Sequence, residues 1–439
     1  MYSSRIQKLL KKENIEIGDE ISATAKHITH TGVLMPRAQG NPDILVIKLS
    51  SGYNVGINFE GLELKLIKKG ALRKTYVEPH KPAKGDVAIL GCGGTIASKI
   101  EYRTGAVFPA ISAAELRAAF PGLEKMASIH SKKIFSLLSE DMSTHHWKLL
   151  ADAIEDELKG GARGIVVMHG TDTMTYTAAA MSFIFQNLPV PVVFVGAQRS
   201  SDRPSSENEM NMSNAVYSAL QDVGEVSVCM HASINDDYCF LHHGTKVRKM
   251  HTSRRDAFRP INSPPLALVD YSAKRFEPLS EYRKRSKPKE LKVEKKLSHN
   301  IAMLYAYPGI KPELIESMDK YDGLVLIGTG LGHFLTNAFD DKIAKSTVPA
   351  IKGLVDSGIP VVMSPQTISG RLCMRTYTAG RLLLEAGVIG DGMDWTPEAA
   401  YAKLCWVRGQ TKSMKKIREL MLTNLAGEIN NRSPLEGYQ

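Results

Sequence analysis

An α/β protein of two domains with mostly parallel sheets, preceded by a small all-β barrel, is the fold predicted by this 439-residue sequence. Three observations carry that expectation. Residues 15–70 hold short apolar runs cut by Gly, Pro and Asn, the pattern of a small barrel. From Asp86 onward, near-continuous apolar runs alternate with helical stretches, as in a parallel sheet covered on both faces. A second alternating set begins near Ile301, after a charged stretch without apolar periodicity.

The first region, expected to span 1–75, opens with an amphipathic helix around Ile6 to Leu10. Strands follow at Ile15–Ile21, Thr31–Pro36, Ile44–Leu49 and Tyr53–Ile57, and Ser50-Ser51-Gly52 forms a hairpin turn between the last two. Pro79, Lys81-Pro82 and Gly85 mark a linker. A larger α/β domain is expected over 85–273, with buried strands at Val87–Leu90, Gly164–Met168, Pro191–Gly196 and Val226–Met230. Its helices are expected at Ala113–Phe120, Trp147–Lys159, Tyr176–Gln186 and Met212–Val223. Residues 274–299 read as a solvated basic linker: Lys274 to Lys296 contains ten Lys or Arg, four Glu, Pro278 and Pro288. A smaller α/β domain is expected over 300–426, with strands at Ile301–Tyr305, Gly323–Gly328 and Ile359–Met363.

Composition excludes several classes. At 43% hydrophobic and 23% charged, the chain is neither disordered nor fibrous. No apolar run approaches the ~18 residues of a spanning helix. Met1 to Asn14 carries Arg5, Lys8, Lys11 and Lys12 without the apolar centre of a secretory signal, so a cytoplasmic location away from any membrane is expected. The five scattered cysteines read as reduced thiols. The net charge of +10 points toward an acidic or nucleic-acid partner, but it is unevenly spread. Residues 274–296 contribute +6, 1–70 contribute +3 and 401–439 contribute +4, leaving −3 for the remainder.

Two strand-to-loop junctions stand out for chemistry. In Ala88-Ile89-Leu90-Gly91-Cys92-Gly93-Gly94-Thr95-Ile96-Ala97, a buried strand runs into glycines and then a hydroxyl residue. In Val166-Val167-Met168-His169-Gly170-Thr171-Asp172-Thr173, a second strand ends in Thr171 and Asp172 just before a helix, whose free N–H groups suit a carboxylate or oxyanion. Ligands of open α/β sheets bind outside the carboxyl ends of the strands, so the two junctions suit one shared pocket. Rival readings are a dinucleotide site, a helix cap and plain structural turns. The dinucleotide fingerprint is incomplete, because Ile96 stands where its third glycine belongs. No Walker A motif, zinc spacing or Gly-x-Ser-x-Gly elbow is present, and Cys239, His242 and His243 lack a second ligand pair. Threonine is the better candidate nucleophile.

At these junctions the chain resembles the bacterial-type asparaginase and glutaminase family. The resemblance rests on Gly93-Gly94-Thr95-Ile96-Ala97 and His169-Gly170-Thr171-Asp172-Thr173. It continues through Ser139-Glu140-Asp141-Met142, Gly196-Ala197-Gln198-Arg199, Asn211-Met212-Ser213-Asn214-Ala215 and Lys249-Met250-His251-Thr252, covering roughly Asp86 to Ala426. It implies two asparaginase-like α/β domains. Thr95 then resembles the nucleophile, with Thr171, Asp172 and Lys249 as the second hydroxyl and its carboxylate and ammonium partners. Ser139 and Asp172 resemble the groups that hold the substrate's α-carboxylate and α-amino groups, and Tyr102 resembles a lid tyrosine. Two positions depart from simple asparaginases: Glu140 replaces a common Gln, and His333 falls where an Asn from the neighbouring subunit is usual.

With the amino-terminal barrel added, the resemblance narrows to the D subunits of archaeal tRNA-dependent amidotransferases. It then implies a glutaminase subunit that passes ammonia to a GatE-like synthetase partner, which converts Glu-tRNA(Gln) to Gln-tRNA(Gln). The resemblance implies no cofactor in this chain, with ATP and Mg on the partner, and a homodimer within a heterotetramer. A free-standing L-asparaginase with an accessory barrel, and an amino-acid-sensing binding module, are the alternatives.

Overall fold

The computed structural model describes residues 2–36, 41–50, 53–70, 86–94, 98–100, 107–109, 120, 122–199 and 205–433. The expected Ser51-Gly52 turn, the 79–85 linker, most of the Ala113–Phe120 helix, Thr95 and Tyr102 lie outside them.

The amino-terminal region is an all-β unit with one helix. Ser3 caps the Ser4–Lys12 helix, accepting from the Ile6 N–H, and the helix buries Ile6 and Leu10. Five strands follow: β1 (Glu20–Ala25), β2 (Ile28–Leu34), β3 (Ile44–Leu49), β4 (Asn54–Asn58) and β5 (Glu63–Lys68). They form one antiparallel sheet in the order β4-β3-β2-β1-β5, so no β4–β5 ladder closes the sheet into a full barrel among the described residues. Alternating residues Ile21, Ala23, Leu45 and Ile47 face the helix side and make the core with Ile6 and Leu34. Asp19 fastens the end of β5: it accepts from Gly70 N at 2.7 Å and Lys69 Nζ at 3.0 Å. Burial pushes its carboxyl up, but these donors and the Glu16 N–H outweigh that and hold it below the usual carboxylate range.

The next unit contains β6 (Val87–Gly93), β7 (Ser98–Ile100), β8 (Val107–Pro109), β9 (Ile129–Leu137), β10 (Gly164–Met168), β11 (Phe185–Gln186), β12 (Val192–Val195), β13 (Val226–His231), β14 (Cys239–His243), β15 (Val247–Lys249), β16 (Phe258–Pro260), β17 (Ala267–Asp270), β18 (Arg275–Pro278) and β19 (Lys292–Val293). Eight of them build one sheet in the order β18-β17-β14-β13-β12-β10-β6-β9. The stretch from β9 to β13 is parallel and the remainder antiparallel. Successive residues of β6 go to opposite cores: Ala88 and Leu90 join one apolar cluster, Val87 and Ile89 the other. β10 and β12 divide the same way, which is why these strands read as unbroken apolar runs.

The second α/β unit has a parallel sheet of β20 (Ile301–Tyr305), β21 (Gly323–Gly328) and β22 (Val361–Pro365). Its Pro397–Gln410 helix and the Met174–Ile184 helix of the first unit are buried almost all round and share one core. Residues 274–299 are not the solvated tether that their charge suggests. Arg275–Pro278 adds β18 to the edge of the large sheet, and Lys292–Val293 pairs with β11. Arg285 donates to the carbonyls of Gln221 at 2.8 Å, Arg163 at 2.7 Å and Ala219 at 3.2 Å. His243 joins Glu225 to Ser280 through contacts of 2.9 Å on each ring nitrogen. Part of the segment's basic charge, that of Arg285, therefore caps carbonyls, while most of its lysines remain exposed.

His242, on β14, is fully buried with no partner on either ring nitrogen. Burial, helped by the charges of His243 and Arg259, pushes its pKa down to about 3. The unfolded chain binds this proton near pH 6.5 and the folded chain does not. Stability is therefore lost as the pH falls from about 6.5 toward 3, by up to about 1.4 kcal/mol per pH unit. His242→Phe is expected to flatten the fall in melting temperature between pH 7 and pH 5; an unchanged slope would exclude His242 as a source of acid sensitivity.

Candidate active site

The site forms where neighbouring parallel strands end. In register, Gly91 of β6 lies beside Met168 of β10, so the Gly93-Gly94 turn meets the His169-Gly170 turn directly. Gly93 and Gly94 have φ of +99° and +86°, and a Cβ on Gly94 would lie 2.5 Å from Gly170 N. Only glycine satisfies both the left-handed backbone and the close approach. The next residue in the chain is Thr95.

Beyond Gly170, the chain enters the Met174–Ile184 helix through Thr171, Asp172 and Thr173. Lys249, the last residue of β15, comes from a separate hairpin, and its ammonium donates to Thr171 Oγ1 at 2.9 Å and Asp172 Oδ1 at 2.7 Å. The Lys249 side chain is 13% exposed, whereas that of Asp172 is 65% exposed. An ammonium so placed both orients the threonine hydroxyl and draws the carboxylate to the pocket's rim. Ser139 opens a short 3-10 turn and is buried. A Cβ on Gly170 would touch its Cβ at 2.7 Å, and Thr173 Oγ1 donates to its carbonyl at 2.7 Å. Glu140 follows it on the same turn and is exposed. The structure thus brings Thr171, Asp172, Lys249 and Ser139 together around the end of β10.

His169 lies beneath this surface. Its Nδ1 donates to the Gly170 carbonyl at 2.7 Å, and Nε2 is buried without a partner. Burial outweighs that hydrogen bond and lowers its pKa to about 4, leaving a neutral ring. A network that the sequence reading did not single out flanks the pocket. Asn211 donates to Gly196 O at 3.0 Å and accepts from His231 Nδ1 at 2.6 Å. Asp236 meets His231 Nε2 at 3.1 Å and Arg255 Nη1 at 2.5 Å. Arg255 thereby ties the loop after Lys249 to the end of β13. The signal for it was modest: Asn211 lies in a quoted motif, and His231 closes an apolar strand. His333 lies at the second sheet, edge-on to Tyr377 with ring centroids 5.3 Å apart. Among the described residues, no cluster of three or more His, Cys, Asp or Glu side chains offers a metal site, and no helix is long and apolar enough to cross a membrane.

Comparison with known proteins places the whole chain in a family. Residues 86–280 match the asparaginase N-terminal family, 300–421 the glutaminase/asparaginase C-terminal domain, and 15–67 the GatD N-terminal domain. The D subunit of the glutamyl-tRNA(Gln) amidotransferase of Methanobrevibacter smithii is 44% identical over 444 residues, covering 100% of this chain and 99% of that protein. Its namesake from Pyrococcus abyssi is 44% identical over 450 residues, covering 99% of each. Among solved structures, the thermostable L-asparaginase of Thermococcus kodakarensis is similar with a TM-score of 0.70 at 30% identity, covering 79% of this chain and 99% of that one. L-asparaginase I of Vibrio cholerae gives 0.66 at 28% identity, covering 79% and 100%. Identity sustained from end to end, with the GatD-type domain ahead of an asparaginase core, means that the chain belongs to the family of glutamyl-tRNA(Gln) amidotransferase D subunits.

Proposed function

We propose that this chain is the glutaminase subunit of a cytoplasmic tRNA-dependent amidotransferase, releasing ammonia from glutamine for a partner that converts Glu-tRNA(Gln) to Gln-tRNA(Gln). The observation that carries the reading is the Lys249 ammonium, within 2.9 Å of Thr171 and 2.7 Å of Asp172 at the strand end beside Gly94. Thr95 Oγ1 attacks the side-chain amide carbon, its proton is relayed through the Thr171 hydroxyl to the amide nitrogen, and the C–N bond breaks so that the nitrogen leaves as ammonia. Water then cleaves the Thr95 ester to give glutamate. Lys249 holds the Thr171 oxygen and stabilises developing negative charge, while backbone N–H groups at the helix start provide donors for the oxyanion.

Ser139 and Asp172 hold the α-carboxylate and α-amino groups, Glu140 adds negative charge toward the ammonium, and Tyr102 covers the pocket. Residues 85–273 and 300–426 form the amidase in this reading, 274–299 join them, and 1–75 form an accessory barrel. A GatE-like synthetase supplies ATP and Mg chemistry and most of the tRNA contact, and the chain works as a homodimer within a heterotetramer. The test measures ammonia release from glutamine and from asparagine, with and without the companion protein, charged tRNA and ATP. Glutamine hydrolysis that rises with the full set is expected. Fast asparagine turnover, indifferent to the companion, would instead make the chain a free-standing asparaginase.

A further inference from the structure

The strand that carries Lys249 has two faces, and one of them is gripped by ion pairs from the second α/β unit. Side chains alternate along a strand, so residues 247 and 249 share one side and 246 and 248 the other. On the first side, Val247 is buried in the core that includes the Met174–Ile184 helix, and Lys249 meets Thr171 and Asp172. On the second, Lys246 Nζ pairs with Asp394 Oδ2 at 3.0 Å, and Arg248 Nε pairs with Glu398 Oε1 at 3.1 Å. Both acids belong to the second α/β unit. Asp394 is 1% exposed and is also held by Asn430, whose backbone N and side-chain Nδ2 donate to its two oxygens at 2.9 and 2.8 Å. Glu398 lies in the first turn of the Pro397–Gln410 helix, where the helix dipole favours a carboxylate.

Arg248 also interacts with the Tyr305 hydroxyl, at the end of β20, and the charge of Glu398 keeps its guanidinium firmly protonated despite burial. The Arg248 side chain is thus bracketed by two elements of the second unit, one residue before the ammonium that meets Thr171. β15 is three residues long and, among the described residues, pairs with β16 alone, Lys249 opposite Phe258. So short a hairpin has little rigidity of its own and takes its position from what its side chains grip.

We infer that Arg248 and Glu398 form a positioning pair that sets where the Lys249 ammonium sits, so that the second α/β unit acts on catalysis through β15. This rests on Lys249 belonging to the amide-hydrolysing site. The pair does not touch substrate; it fixes the register of the residue that does. An ångström of displacement at Lys249 lengthens its contact with Thr171 beyond hydrogen-bond range, which weakens the chemical step more than substrate binding.

The experiment uses the full-length chain with its companion protein and glutamine as substrate, comparing wild type with Glu398→Gln, Arg248→Gln, the double variant and Lys249→Met. Glu398→Gln and Arg248→Gln are each expected to lower kcat about tenfold with KM within about twofold, and the double variant to fall no further than the worse single. Normal kcat in either folded single, or multiplicative losses in the double, overturns the proposal. A role confined to stability would lower the melting temperature and leave kcat untouched. Should Glu398→Gln fail to fold, Arg248→Lys, which keeps the charge but not the guanidinium reach, decides: reduced kcat at unchanged KM supports the pair, and full kcat overturns it. Lys249→Met separates this from the site assignment, because turnover retained there removes Lys249 from the chemistry. Loss there beside normal Glu398→Gln and Arg248→Gln enzymes rejects only the positioning pair.

Discussion

Thr171→Ala is expected to lower glutamine turnover by a factor of about 10³ or more, since positioned proton-transfer groups contribute about 10²–10⁴. Removing Oγ1 leaves Lys249 with Asp172 alone, 2.7 Å away at the pocket's rim, so its charge is drawn outward from the reacting atoms. The fold should survive. Thr171 is buried, but its hydroxyl bonds to Lys249, while its methyl packs where a Cβ on Gly196 would approach within 2.8 Å. Thr171→Val keeps that methyl packing and should be as inactive as Ala, whereas Thr171→Ser restores the hydroxyl and should recover a substantial part of kcat. Thr95→Ala is expected to lose as much, and the Thr95→Ala/Thr171→Ala pair to lose little more than either, as for groups acting as one unit. Steady-state ammonia release on folded protein decides: turnover within tenfold of wild type in Thr171→Val removes the hydroxyl from the mechanism.

The largest stability effect is expected away from the site, at Lys403 and Glu428. This ion pair is fully buried, with Nζ–Oε1 at 2.5 Å. Lys403 also donates to the carbonyls of Met421 at 2.7 Å and Thr423 at 2.6 Å, and Glu428 accepts from the Ala426 N–H at 2.7 Å. The pair thus folds the carboxyl-terminal segment back onto the Pro397–Gln410 helix. Removing one partner leaves an uncompensated buried charge, and Glu428→Ala should cost about 3–5 kcal/mol. Burial pushes the Lys403 ammonium down, and Glu428 partly restores it; without Glu428 the burial cost stands alone. Denaturant unfolding of Glu428→Ala, and of Lys403→Met/Glu428→Leu, checks this. The double variant is expected to recover most of the loss, because two apolar groups of similar size replace both charges. A Glu428→Ala protein as stable as wild type would mean that the pair contributes nothing.

The parallel centre of the large sheet was legible because both its faces are buried, so β6, β10, β12 and β13 are apolar at nearly every position. Its margins were not. β9 carries Lys132 and Lys133 at the open edge, β14 is interrupted by His242 and His243, and β18 reads Arg-Phe-Glu-Pro. β9 and β18 lie at the sheet's edges, where a strand's composition resembles a loop, whereas β14 pairs on both sides and is hidden only by its polar histidines. The packing of the 274–299 backbone was hidden for a related reason: Arg285 has a long apolar stem and caps carbonyls, so a segment dense in exposed lysines can still lie against the first α/β unit. At the site, the glycine turns and Thr171-Asp172 were visible as local patterns. Lys249 came only through the family resemblance, and Arg248–Glu398 joins residues 150 positions apart, a contact no local pattern encodes.

The strap formed by residues 283–298 also bears on how the molecule is made. Gly224 N bonds to Arg283 O at 2.7 Å, Ser286 N to Leu188 O at 3.0 Å, and Arg285 covers the carbonyls left by residues 163, 219 and 221. Farther along, Glu294 O accepts from Trp406 Nε1 at 3.0 Å, and Ser298 N bonds to Cys405 O at 2.8 Å. During synthesis, a nascent chain stalled near residue 280 would hold its large sheet with those backbone groups still bare to water. The later half of the strap then waits for the helix around residue 405 to emerge. The large sheet is therefore expected to be covered as soon as residues 283–286 emerge, and the strap's later half to dock only when the helix around residue 405 follows.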